Sequence, residues 1–441
     1  MVAEKKMGLF MATMLVTVNM VGTGIFLLPA TMATIGSISI YGWIAGTIGA
    51  AALAIMFAQL GTVDPQAGGP YAYARETFGR YPGFQTNYVY WSANLVGNVA
   101  VATTVVGYLT QFFPALKIPL LATICGVALI WLSVVINLVG PRFVGFITSW
   151  SAGIATVVLI IISIVGWAWF DPTIFRASWN PGNLSTLNAT MSSAAIALWA
   201  FMGIESASVA AAVIENPRRN VPLATMLGLA LATFLYISTC VVLMGMVPVD
   251  QLKNSEAPFS LAASHVVGTF GALAIALCAI LKAGASLIGW TLTISQSAQA
   301  AADDGMFPRE FGLISGSGVP IWNFIISGIL MSAIIVATAS ASLNQQFEEV
   351  INMAVVLTLL PYLYTSVTYL KAFGLDANRK KAAFAIGVAV IATAYCLGAV
   401  AGSDADTVRS AMIFLFLSVP FYAAIRRNDY AKSPTTRHGG A

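Results

Sequence analysis

Asn19-Met20-Val21-Gly22-Thr23-Gly24-Ile25-Phe26-Leu27-Leu28-Pro29-Ala30 lies within an apolar run over 8–32 and interrupts it with two glycines around a β-branched threonine. Glycine inside a helix costs ~1 kcal/mol relative to alanine, so Gly22-Thr23-Gly24 is a weak point in an otherwise continuous span. Unwinding there would free backbone N–H groups that hydrocarbon cannot satisfy. An anion, such as a ligand carboxylate, could satisfy them at the positive end of the resumed half-helix. The plainer alternative is close helix packing through small residues, and the glycines alone do not choose between the two.

The rest of the chain favours a membrane setting for that run. Its 441 residues are 58% hydrophobic and 9% charged, where a soluble domain carries roughly 25% charged residues. Stretches such as 120–139 and 153–169 are continuously apolar, as a ~30 Å hydrocarbon slab requires of ~20 helical residues. A β-barrel would instead alternate polarity over ~10-residue segments. The net charge of +4 is scattered over loops, so it indicates no nucleic-acid partner. Cys125, Cys240, Cys278 and Cys396 all fall in apolar runs and read as small hydrophobes, without disulfide or metal spacing. The two histidines, His265 in an expected loop and His438 in the tail, make a His-based site a poor reading, and no cofactor is expected. Met1 to Lys6 is too short and too charged for a cleaved signal, so the first run reads as a true span.

Twelve spans follow from hydropathy and breakers: 8–32, 39–60, 83–112, 120–139, 143–169, 189–213, 222–247, 268–300, 320–340, 347–372, 382–402 and 408–425. Between them lie Asp64 to Pro70, Asn180-Pro181-Gly182, Glu215 to Arg219, Asp303-Asp304-Gly305 and Asn378 to Lys381, with a polar tail from Arg426. The organisation expected is an N-terminus over 1–7, a transport core over 8–372, two peripheral spans over 373–425 and a tail over 426–441. Alternate loops divide the lysines and arginines sixteen to four, with both termini on the rich side, which is cytoplasmic by the positive-inside rule. The remaining basic residue, Lys282, falls inside the eighth span.

The sixth span, Leu198-Trp199-Ala200-Phe201-Met202-Gly203-Ile204-Glu205-Ser206, carries a glycine and a carboxylate at its middle. A carboxylate at bilayer depth costs at least ~2.5–3.5 kcal/mol, so Glu205 must face a cavity, a partner or a proton. It reads either as a hydrogen-bond staple across a broken helix or as a titratable gate group. Spans 1 and 6 are corresponding positions if 1–5 and 6–10 are inverted repeats, and paired Gly-interrupted segments point to a transporter's binding site. Trp290 lies deep in span 8, where it is either packing or a platform for a cation. Asn94 and Asn98 share one face of span 3, lining a polar cavity or hydrogen-bonding across helices.

These residues resemble the basic amino acid–polyamine antiporters of the amino acid–polyamine–organocation superfamily, which include the arginine–agmatine, lysine–cadaverine and putrescine–ornithine exchangers. The likeness runs over nearly the whole chain. Its most specific pieces are 19–30, Trp199 to Ala207, Glu215 to Pro222, and Gly289-Trp290 followed by Ala302 to Pro308. It implies an all-α membrane protein with a five-plus-five inverted-repeat core, broken helices 1 and 6, two peripheral spans and often a homodimer, in a bacterial inner membrane. It further implies that a substrate carboxylate meets Thr23 and Gly24, and its α-amino group carbonyls at Met20, Trp199 and Met202. The substrate side chain would run towards Ala93, Asn94, Asn98, Trp290 and Ala354. Trp199 would gate the site from above, with Tyr90, Glu205 and Tyr362 in a second layer.

Departures from that pattern bear on substrate. Thr23 replaces the usual serine and keeps its hydroxyl. Ala354 and Asn94 stand where the arginine-specific member has serine and cysteine, which tilts the reading towards lysine or ornithine with its diamine. A primary ammonium needs fewer and less planar partners than a guanidinium fork, in keeping with that tilt, and arginine–agmatine exchange stays open. Lys282 has small or apolar counterparts in the members compared. It lies eight residues before Trp290, roughly 12 Å along the helix, and either snorkels to a membrane face or replaces a bound cation. No G-x-x-x-x-G-K-[ST] occurs, so a gradient must drive transport. A proton-coupled symporter or uniporter is the competing mechanism, and no nucleophile–base pairing supports an enzyme.

Overall fold

A computed structural model of the chain describes residues 6–63, 69–139, 141–211, 214–314, 320–340 and 342–432, with backbone alone for 141–143, 145–147, 149, 152, 154–155 and 426–432. The start of the chain through Lys5, the Asp64 to Gly68 part of an expected loop and the tail from 433 lie outside the described residues. So do 212–213, at the end of the sixth expected span.

The first apolar run divides into α1 (Leu9–Met20), a 3₁₀ turn (Thr23–Phe26) and α2 (Leu28–Ile35). There follow α3 (Ile40–Val63), α4 (Pro70–Phe78), α5 (Arg80–Leu109), α6 (Pro119–Val139), α7 (Pro141–Val165) and α8 (Pro172–Ala177). The sixth run divides likewise, into α9 (Thr186–Phe201) and α10 (Ser206–Val209). The remainder is α11 (Pro217–Met246), α12 (Val249–Leu252), α13 (Pro258–Asp303), α14 (Ile321–Ala337), α15 (Leu343–Phe373), α16 (Arg379–Gly402) and α17 (Ala405–Lys432). Among the described residues the one extended pairing is an isolated bridge between Met7 and Ile214.

Local chemistry explains where these helices start. Pro119, Pro141, Pro172, Pro217 and Pro258 each open a helix, where the missing N–H is no loss. Ser185, Ser342 and Asn378 cap α9, α15 and α16 by accepting first-turn N–H groups. Nine helices are long and apolar enough to cross a bilayer, and Leu9–Met20, Thr156–Trp169 and Ile321–Ala337 are shorter apolar segments, all counted among the described residues. The outer surface is apolar too: Phe270 is 86% exposed, Phe10 77% and Phe416 69%. So extensive an apolar surface is unfavourable in water and suits contact with lipid chains.

Several boundaries differ from the sequence reading. The segment before Gly268, expected as a loop holding His265, is helical from Pro258, with the break at Gly268 itself (φ 70°). Its proline start makes it a helix, and Gly268 ends it where the next span begins. Arg426 to Lys432, expected as tail, continues α17, because extending an existing helix adds a hydrogen bond without a new nucleus. The short helices α4, α8 and α12 fall in expected loops, being too brief for periodicity to reveal. α5 is the best-enclosed element, with 94% of its most apolar window buried against 17% for α17. It packs on α13 and α15, so its face forms one wall of the site.

Candidate functional site

Two breaks meet at the middle of the molecule. In the first, α1 stops at Met20 and the backbone extends at Gly22 (ψ −155°) before the 3₁₀ turn. The N–H groups of Thr23 and Gly24 stand at the head of that turn, where no preceding helical carbonyl reaches them. Tyr236 Oη of α11 donates to the Met20 carbonyl at 2.9 Å, satisfying an acceptor that the break exposes. In the second break, Gly203 adopts φ 97°, a conformation that strains any residue with a Cβ. Ser206 N donates back to Gly203 O at 3.0 Å. The breaks are tied to each other, since Asn19 Nδ2 donates to Ser206 Oγ at 2.8 Å.

Trp199, at the end of α9, fills the space above. Its indole lies over Gly24 and Gly97, so closely that a Cβ on Gly24 would fall 2.4 Å from Nε1 and one on Gly97 2.9 Å from the far ring edge. Real Cβ atoms do not approach that near, so both positions must be glycine while the indole stays there. Beyond it, Phe26 packs edge-on against Tyr108 and Phe259 with ring centroids 5.7 Å apart. Tyr108 Oη also donates to Phe26 O at 2.9 Å, closing that side of the site.

Glu205 follows the second break and is 3% exposed. Tyr90 Oη donates to its Oε1 at 3.0 Å and Tyr362 Oη to its Oε2 at 3.1 Å. Its carboxylate thus joins α5 and α15 to the broken segment. Asn94 Nδ2 donates to Tyr90 O at 2.8 Å. Asn98 is held by α13, donating to Thr291 Oγ1 at 2.9 Å and to Leu287 O at 3.3 Å, while its own Oδ1 is buried without a partner. The two asparagines therefore differ: Asn98 takes the cross-helix role that the sequence left open, and Asn94 stays within its own helix.

Two adjoining cavities occupy the site. A cavity of about 50 Å³ is lined by Met20, Thr23, Gly24, Tyr90, Ala93, Asn94, Asn98, Trp199, Met202, Glu205 and Trp290. That volume suits a few waters and no more, at about 10–15 Å³ of such space per water. A larger one, about 530 Å³, shares Asn19, Gly22, Tyr90, Glu205 and Trp290 with it and extends past Leu15 and Val18 of α1 and Val209 and Ala210 beyond the second break. This is a volume typical of small-molecule sites, and it reaches the side of the molecule where α1 begins. Lys282 lines it and is 5% exposed, so its side chain does not snorkel to a membrane face.

Of the expected residues, Tyr362 stands behind Glu205, and Ala354 is wholly buried outside the lining of either cavity. One turn on, Thr358 bridges Ala354 O and Met202 Sδ, at 2.8 and 3.9 Å. The structure adds Asn19, Gly97, Val101, Tyr236 and Ser286 to the linings. A tyrosine hydroxyl within the apolar run of α11 was a readable signal for Tyr236. Gly97 offered none.

The sequence pattern of an amino acid permease matches residues 7–423. The chain belongs to the amino acid permease family. This permease is 36% identical to a cadaverine/lysine antiporter of Escherichia coli over 428 residues, covering 96% of each chain. It is 35% identical to the putrescine transporter PotE of Haemophilus influenzae over 426 residues, covering 96% of this permease and 97% of its relative. The E. coli PotE is 35% identical over 424 residues. These relatives are transporters rather than enzymes, and the match runs through both broken segments of the permease.

Proposed function

We propose that the chain is a secondary transporter exchanging an external basic amino acid, lysine or ornithine rather than arginine, for the decarboxylated diamine. The observation that carries this reading is the pair of facing breaks, with Glu205 set beside them on two tyrosines. The free N–H groups at Thr23 and Gly24 suit a carboxylate, the carbonyls of Trp199 and Met202 suit an α-ammonium beside a Met20 carbonyl already held by Tyr236, and Glu205 answers the charge of a cationic substrate. Asn94 and Trp290 provide a polar and an aromatic wall for the side chain. Relatives named for cadaverine, lysine and putrescine support the same substrate class.

In this reading nine long and three shorter apolar helices make twelve crossings. The core over 8–372 is a five-plus-five inverted repeat, 373–425 adds two peripheral crossings, and both termini face the cytoplasm of a bacterial inner membrane. The 530 Å³ cavity is then a vestibule open to the cytoplasm. Trp199 closes the opposite route, and alternating access requires its indole to leave Gly24 and Gly97.

A displacement screen on purified protein, with lysine, ornithine, arginine and their amines, tests the substrate class. The lysine or ornithine pair is expected to compete best, and Trp290→Leu to weaken the cation by ~5–30-fold, the loss of ~1–2 kcal/mol of cation–π attraction. Undiminished affinity in that variant would make Trp290 ordinary packing. A second reading, proton-coupled amino acid transport without a counter-substrate, draws support from Lys282 on the vestibule wall. Uptake that needs a pH gradient and no internal amine would favour it.

A further inference from the structure

A third cavity, of about 440 Å³, lies apart from the site, beyond the cluster that closes the route opposite the vestibule. It is built between the end of α5, the turn at Pro114–Lys117 and the segment leading into α13. Thr110 and Glu256 on its lining stand two and three residues from Tyr108 and Phe259 of the closing cluster. Asn344, at the head of α15, fixes that segment by donating to Ser255 O at 2.8 Å and to Lys253 O at 3.1 Å. The lining is polar, with Gln111, Gln251, Asn254 and Ser264, and it carries one charge of each sign, Lys117 and Glu256. Glu256 Oε2 is buried and accepts no hydrogen bond. Neither charge belongs to any of the three ion pairs among the described residues. Burial raises the Glu256 carboxyl above its ordinary range and the Lys117 ammonium draws it back in part, so the two charges act on each other across a gap without meeting.

We propose that this cavity is an outer binding site for the incoming amino acid, with the α-ammonium on Glu256 and the α-carboxylate on Lys117, from which substrate passes inward when the closing cluster parts. A buried carboxylate oxygen without a donor is unfavourable, and an ammonium brings three donors. An α-amino acid carries its two opposite charges on one carbon, so it spans the gap between Glu256 and Lys117 whatever its side chain. The amides of Gln111, Gln251 and Asn254 leave a polar wall for a basic side chain. Cadaverine has two ammonium groups and no carboxylate. It can reach Glu256 only while Lys117 repels it. The outer face therefore holds the amino acid in preference to the amine, which is the direction that exchange requires where the amino acid loads and the amine leaves. The inference rests on the reading that amino acids enter from this face, but not on which ones.

The test uses full-length wild type, Lys117→Met, Lys117→Glu and Glu256→Gln in proteoliposomes, with apparent affinities for lysine and cadaverine measured from each face at low salt. Lys117→Met is expected to weaken external lysine relative to external cadaverine by about three- to fivefold, and Lys117→Glu by more. Glu256→Gln should weaken both from outside, and high salt should shrink each effect. The ratio from the inner face serves as reference and should not move. An external ratio unchanged in both Lys117 variants, or external affinities untouched by Glu256→Gln, would overturn the proposal. Equal changes from the two faces would overturn it too, by marking a structural role. Lys117 is exposed, so its replacement leaves the packing intact, and its two variants decide alone should Glu256→Gln not fold. If neither cation is carried, leucine and 3-methylbutylamine are read in the same way. If uptake proves independent of internal amine while the external ratio still follows Lys117, the exchange reading fails and the outer site stands.

Discussion

At the scale of single residues, the site is held by contacts between groups far apart in the chain. Trp199 needs Gly24 from the first break and Gly97 from α5. Gly97→Ala should therefore displace the indole and lower transport several-fold, while the same change in a Trp199→Leu background should add little. A double-mutant cycle on transport and thermal stability is expected to give a coupling of ~1 kcal/mol or more, and additive effects would deny the contact. The readable part of this site was what is costly in lipid: Glu205, Lys282 and Trp290 each stood out from an apolar background. Gly97 was silent because a glycine in a membrane helix is ordinary packing material, and only the position of a distant indole makes it necessary. Asn98 was seen but half-read. Its spacing from Asn94 set both on one face, whereas only the packing of α13 decides that Thr291 and Leu287 accept its hydrogen bonds.

At the scale of elements, the broken helices are fixed by backbone geometry. Gly203 (φ 97°) and Gly268 (φ 70°) both adopt conformations unfavourable to other residues, but their surroundings differ. A Cβ on Gly203 would fall 3.1 Å from the backbone of Asn19, while one on Gly268 would meet nothing within 4 Å. Gly268→Ala is expected to cost ~1–3 kcal/mol of strain alone, with transport retained. Gly203→Ala should cost more in thermal unfolding and should impair transport, because it pushes the two breaks apart. Equal effects of the two changes would contradict that account. Both break sites were legible, since a glycine beside a carboxylate or another glycine interrupts an otherwise apolar run. The helix from Pro258 to Gly268 was not, because a short amphipathic segment between charged and polar residues reads like a loop until its proline start is recognised.

At the scale of the whole molecule, the two cavities define which face is open. The vestibule passes Val209 and Ala210 towards the side where α1 begins, while Trp199 and the Phe26, Tyr108 and Phe259 cluster close the other. The described native cysteines are buried or half-buried. A cysteine introduced at Val209 is therefore expected to react with a membrane-impermeant thiol reagent from the cytoplasmic face and to be slowed by bound substrate. Faster labelling from the outside would reverse the orientation. The charge pattern and apolar runs disclosed the class of molecule and set the direction in the membrane that the labelling experiment tests. They could not disclose its conformation, because a vestibule and a closed gate differ in packing and not in composition.

Exchange itself is the most direct test of the central claim that facing breaks clamp a basic amino acid and return its amine. Proteoliposomes containing the purified protein, loaded in turn with cadaverine, putrescine or agmatine, would be offered the matching labelled amino acid. Rapid uptake into vesicles carrying cadaverine or putrescine, lost in Glu205→Gln, is the expected result. Equal uptake into empty vesicles would contradict the account.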